Sequence, residues 1–234
     1  MYYDYGYGID FSYFLVIIGF IITMLAQLYL TSSYSKYKKI ENDNGISGRE
    51  AARKILDNNG LSKVKVKEIG GNLTDHYDPR ERTVNLSSDI YNGTTIAAVA
   101  VASHECGHAI QDKEGYFMLR LRSSIVPIVN LSTRIGYIVL MISLIAGLLK
   151  LALVGFILVM ASLVFQIITL PVEFNASSRA KKKISELNLI SESEQDGASR
   201  MLFAAALTYV ASMISTLLQM LRFFLMIVGR RNRR

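Results

Sequence analysis

Charge is scarce in this sequence of 234 residues: Asp, Glu, Lys and Arg make up 19% of it, against 51% hydrophobic residues. That balance is unusual for a soluble domain of this size. One cysteine, Cys106, excludes an intrachain disulfide. Histidine is nearly as rare, with three residues. No Lys or Arg stands among residues 1–10, a tyrosine-rich stretch with two acids. The basic start of a secretory signal peptide is therefore missing, and the first apolar run is expected to stay as an anchor. Neither an internal repeat nor a low-complexity tract is present. The net charge of +7 does not mark a nucleic-acid surface, because the basic residues are mixed with a comparable number of acids. The excess reads as membrane topology, and no nucleic-acid partner is expected.

What the chain has in place of charge is long apolar runs, at residues 11–30, 135–149, 151–170 and 201–221. About 20 apolar residues in a helix cross a bilayer core about 30 Å thick, and the first and third runs meet that length. Residues 135–170 as one helix would measure about 54 Å, and Lys150 interrupts them near the middle. They are read as a hairpin of two spans. In the last run Thr208, Ser212, Ser215, Gln219 and Arg222 recur along one face, a stripe that suits a protein interior or a membrane surface. Lys36, Lys38 and Lys39 follow the first span and nothing positive precedes it, which places the N-terminus outside and the polar regions in the cytoplasm. A fourth full crossing would set the arginines of residues 229–234 outside, against the same rule.

Within the first polar region, Ser47 with Glu50 three residues on marks a helix start, and Asn58-Asn59-Gly60 its end. Residues 63–67 alternate Lys and Val as a half-buried strand does. A turn-rich loop through Asp75, His76 and Pro79 leads to a second short strand at 83–86, and residues 94 to 113 are helical in pattern. The expected fold is mainly α: a zincin-like α+β catalytic domain with a small sheet, fused to a bundle of three to four transmembrane helices. Its expected divisions are tail and anchor at 1–30, the polar domain at 31–124 and the hairpin at 125–170. A second polar segment at 171–200 and a membrane helix with basic tail at 201–234 complete it.

His104, Glu105, Cys106, Gly107 and His108 match His-Glu-x-x-His in that last helical pattern. Residues at i and i+4 share a helical face, so both imidazoles can reach one ion about 2.0–2.1 Å away. Glu105 stands about 100° around the helix, beside an attacking water rather than on the ion. Zinc lowers the pKa of bound water toward about 7, and Glu105 is placed to take the proton and pass it to the leaving amine. That is peptide hydrolysis without a covalent intermediate. Either histidine alone reads as a satisfied helix residue; the pair, with Glu between them in a helix of small apolar residues, reads as a metal site. Cys106 faces about 200° away from His104 and reads as packing. A catalytic zinc needs a third protein ligand. Glu173, in Pro171-Val172-Glu173-Phe174-Asn175-Ala176-Ser177 directly after the hairpin, is the first candidate; its other reading is a helix N-terminal carboxylate favoured by the macrodipole. His76 is the second candidate ligand, or a donor to the oxyanion, or a plain loop histidine.

The order of anchor, polar domain, His-Glu-Cys-Gly-His-Ala-Ile-Gln, hairpin and Pro-Val-Glu-Phe-Asn-Ala-Ser resembles the YugP-like neutral zinc metallopeptidases of bacterial membranes, over nearly the whole chain. More distantly it is similar to HtpX and the CAAX prenyl endopeptidases. The resemblance implies a gluzincin-like site with Glu173 as the third ligand. It also implies that the strand at 83–86 borders the cleft and pairs with an extended substrate. Those relatives carry an aspartate four residues after the ligating Glu; this chain has Ser177, which can still accept a hydrogen bond from a ligand histidine.

Three functions follow for weighing. The first is a zinc-dependent endopeptidase, multi-pass in a bacterial cell membrane, cutting membrane or membrane-proximal proteins on the cytoplasmic side. The second is a silent membrane protein with a structural zinc, which would normally recruit a fourth ligand, often a thiolate, whereas Cys106 points away. The third is a scaffold or transporter component whose pathway is the Thr208 to Arg222 stripe. It leaves the strongest motif unexplained.

Overall fold

The computed structural model describes residues 11–231, so the tyrosine-rich start and the last three residues of the basic tail lie outside the described residues. The elements in chain order are α1 (Phe11–Tyr37), α2 (Gly48–Asn58), β1 (Lys65–Ile69), β2 (His76–Asp78), β3 (Thr83–Ser87), α3 (Ser88–Asn92) and α4 (Ile96–Lys113). The long helices α5 (Phe117–Ala146), α6 (Leu149–Glu186) and α7 (Gln195–Arg231) follow. Among the described residues α1, α5, α6 and α7 are long and apolar enough to cross a membrane. The chain is thus a helical membrane protein with a small sheet, and the last apolar run belongs to a helix of spanning length. Two compact units divide it. Of the described residues, one holds those up to Leu25, Ile125–Ile167 and those from Val210 onward; the other holds Ala26–Ser124 and Ile168–Tyr209.

The first unit is a helical bundle around Leu140, Val159, Met220, Phe223 and Ile227. Small residues bring its helices to backbone contact. A Cβ on Gly155 would stand 2.6 Å from the Leu140 backbone nitrogen, one on Gly136 2.8 Å from the Val159 nitrogen, and one on Gly19 2.8 Å from Ser215 Oγ. In lipid such packing carries helix association, since helix surface and acyl chain are equally apolar. The Gln166 amide donates to the Thr216 hydroxyl at 2.8 Å. Ser215 of the polar stripe and its neighbour Thr216 therefore face the bundle interior. The hairpin turns at Gly147, whose φ of +72° suits glycine, and the Leu148 N–H closes α5 on the Ser143 carbonyl at 2.9 Å.

The second unit is built around α4. Its Ala97, Ala98, Val99, Ala100, Ala102 and Cys106 are fully buried, together with Ile55 and Leu56 of α2 and Val84 and Leu86 of β3. α2 starts on a reciprocal cap: the Glu50 N–H donates to Ser47 Oγ at 3.2 Å and the Ser47 N–H to Glu50 Oε2 at 2.8 Å. The sheet order is β1-β3-β2, with β1 parallel and β2 antiparallel to β3. The alternating strand runs over Lys65–Ile69, two residues later than its pattern begins.

Two expectations are corrected here. β3 lies between β1 and β2, with Thr83, Val84 and Asn85 paired on both sides, so it has no free edge there for a substrate strand. The outer strand beside α4 is β2, hidden in the sequence by its shortness and its turn-forming neighbours. Secondly, α6 continues through Pro171 to Glu186, where the polar segment was expected to begin a new helix. Glu173 is an interior residue of α6, which removes its reading as a helix N-terminal carboxylate. Ser47→Ala should lower stability by about 1 kcal/mol, seen as a lower Tm in detergent; an unchanged Tm would show the cap to be idle.

Candidate metal centre

α4 delivers two imidazoles to one face. The His104 and His108 rings lie 4.8 Å apart between centroids, edge to face at 85°. α6 brings Glu173 against them: its Oε2 is 3.3 Å from His104 Nε2 and 3.5 Å from His108 Nε2. One potential ligand atom from each of the three lies within 4.8 Å of the others. Two imidazole nitrogens and one carboxylate oxygen form the donor set of a catalytic zinc site, which keeps a further position for water or substrate. The residues fit zinc.

The helices meet closely because Gly107 lacks a side chain. A Cβ at that position would stand 2.5 Å from the Ala176 carbonyl oxygen of α6. Next to it, Gln111 fixes the orientation of His108. Its amide nitrogen donates to the Val172 carbonyl at 2.8 Å and to Asn175 Oδ1 at 2.9 Å, so its Oε1, 3.0 Å from His108 Nδ1, is left to accept. The Nδ1 proton is thereby held and Nε2 presents a lone pair to the centre. Asn175 Oδ1 also accepts from Arg179 Nε at 2.7 Å, and Arg179 pairs with Glu114 at 2.6 Å. His104 Nδ1 lies 3.2 Å from Ser177 Oγ.

Glu173 is 1% exposed. Its second oxygen accepts from Arg122 Nη1 at 2.9 Å, and Tyr209 of α7 sets its hydroxyl beside the same carboxylate. Burial works against the charged form of His108. The Glu173 hydrogen bond and the charges of Glu105 and Glu173 outweigh it and raise the imidazole pKa, so protons compete with a metal for this nitrogen as the pH falls. Glu105 is buried too, and its Oε2 accepts the Tyr77 N–H of β2 at 3.0 Å. The Tyr77 hydroxyl donates to Asp112 at 2.9 Å, one α-helical turn beyond His108. Cys106 turns the other way and donates to the Ala52 carbonyl at 3.6 Å; burial, then the Glu105 charge, pushes its thiol pKa up.

The structure thus brings together His104, Glu105, His108, Glu173 and Ser177. His76, on β2, is not one of the three converging residues. Asn85 donates to its Nε2 at 3.2 Å, and its Nδ1 lies 2.8 Å from the Thr74 carbonyl oxygen. Gln111, Arg122, Asn175, Tyr77 and Tyr209 escaped the sequence reading. Gln111 had a signal, three residues after His108 on the same face of α4, and Asn175 sits two residues after Glu173. Tyr77, Arg122 and Tyr209 reach the site only through tertiary structure.

Comparison with known proteins follows the same line. The family model described as "Putative neutral zinc metallopeptidase" matches residues 12–228. A relative from Bacillus subtilis (strain 168), named "Putative membrane protease YugP", is 45% identical over 219 residues, covering 94% of this chain and 97% of the relative. No solved structure matches the chain significantly. The sequence resemblance is borne out at the level of the family.

Two substitutions probe the centre without touching a ligand. Gly107→Ala should force α4 and α6 apart and reduce zinc retained after purification while leaving helical content intact. Gln111→Leu should weaken zinc affinity by about 10–100-fold, measured by chelator competition; an affinity equal to wild type would show that Gln111 does not orient His108.

Proposed function

We propose, since this chain belongs to the neutral zinc metallopeptidase family, that it is an endopeptidase cutting membrane or membrane-proximal proteins at the centre of His104, His108 and Glu173. The carrying observation is the convergence of these three residues on one point, with Glu105 on the adjoining face of α4. Zinc, when bound there, supplies a Lewis acid and lowers the pKa of water toward about 7.

The chain's own residues account for the rest. Glu105 takes the proton of the attacking water and delivers it to the leaving amine, its carboxylate aimed by the Tyr77 N–H. Arg122 and Tyr209 flank Glu173 and are the donors at hand for charge developing on the scissile carbonyl oxygen. An extended substrate lies along the outer edge of β2, because β3 is already paired on both sides at residues 83–85. In this reading the catalytic unit lies on the cytoplasmic side, which Lys36, Lys38 and Lys39 around the end of α1 support by the positive-inside rule. A structural zinc would call for a fourth ligand, and Cys106, the one thiol, is turned toward α2.

Glu105→Gln should retain zinc yet lose about 10²–10⁴-fold in cleavage of an unfolded model substrate, whereas Glu173→Ala should lose zinc in metal analysis. Cleavage by Glu105→Gln at the wild-type rate would sink the mechanism.

A further inference from the structure

The bundle unit carries a cation that the reaction does not use. Arg222 lies on α7 within an apolar helix of spanning length. Its guanidinium stands 4.7 Å from the Tyr13 ring centroid, and its buried Nε has no hydrogen-bond partner among the described residues. None of the ion pairs among the described residues includes it. A charged side chain in a helix of spanning length is costly and is met by a partner, by water or by a cavity.

Arg222 borders a cavity of about 400 Å³. Tyr13, Tyr137 and Gln219 add polar tips to its lining, and Met141 and Ile145 add aliphatic wall. Met141 and Ile145 are 51% and 83% exposed, so this wall continues onto the outer surface of the bundle. Ile145 adjoins the end of α5 at Ala146, so the cavity reaches toward the Gly147 turn. An anion, hydrogen-bond acceptors and an apolar tail are what this lining complements together.

We propose that the cavity binds an anionic phospholipid, its phosphate on Arg222 and the tyrosine hydroxyls and its acyl chain along Met141 and Ile145. A free inorganic anion would leave the aliphatic wall uncovered. A zwitterionic headgroup would bring its own ammonium to a site that already holds a guanidinium over the Tyr13 ring. Guanidinium suits this role through its forked donors, which match phosphate oxygens.

The test uses the full chain, exchanged between phosphatidylglycerol and phosphatidylcholine micelles and weighed by native mass spectrometry for retained lipid. Wild type should hold phosphatidylglycerol roughly fivefold or more in preference. Arg222→Gln should lose the preference, and Arg222→Lys should keep part of it. Equal retention of the two lipids by wild type would overturn the proposal. A preference unchanged in Arg222→Gln would overturn it as well. Inorganic phosphate alone should neither displace phosphatidylglycerol nor raise the Tm; if it does both, the cavity is a free-anion site and the lipid assignment fails.

Discussion

Glu173 is buried as deeply as the aliphatic core, and a carboxylate in that position must be met by charge and hydrogen bonds on all sides. His104 and His108 meet one of its oxygens and Arg122 the other. Much of the surrounding structure serves this requirement. α4 presents both imidazoles on one face, Gln111 holds His108 in a single tautomer, and Arg122 occupies the oxygen directed away from the histidines. Removing any one of these partners leaves the same buried charge to be compensated by fewer groups.

The approach of α4 to α6 is the geometric side of the same constraint. Gly107 lets the Ala176 carbonyl come within a distance that a methyl group would forbid. Around that contact the hydrogen bonds of Gln111, Asn175 and Arg179 run continuously from His108 to Glu114. β2 closes the other flank of α4, donating backbone to Glu105 and a hydroxyl to Asp112. His104, Glu105 and His108 share α4, but their supports differ: residues of α6 meet the imidazole side, and the β2 backbone holds Glu105.

What was legible in the sequence was local. The Ser47–Glu50 cap, the hairpin around Lys150, the motif helix and the placing of Cys106 opposite the histidines all follow from spacing along one element. Glu173 could be singled out because chain order after a hairpin returns it to the motif's side, and the family resemblance pointed the same way. The error at Pro171 came from reading proline as a helix boundary, where α6 carries it inside the helix; neighbouring groups can satisfy the freed carbonyl. β2 was missed because three residues give no periodicity, and with it went the correct order of the sheet. Arg122 and Tyr209 carry no local mark at all, since their relevance is created by helices that begin far from the motif.

The glycines of the bundle bear on which changes the membrane part can accommodate. Gly19, Gly136 and Gly155 each face a neighbouring helix at a distance where a single methyl group would collide. A leucine at any of them would raise hydropathy and favour insertion, yet wedge two helices apart. A serine, more polar and smaller, would disturb the packing less. Tolerance at these three positions is therefore set by side-chain volume ahead of polarity, the reverse of the ordering on the lipid-facing surfaces of the same helices.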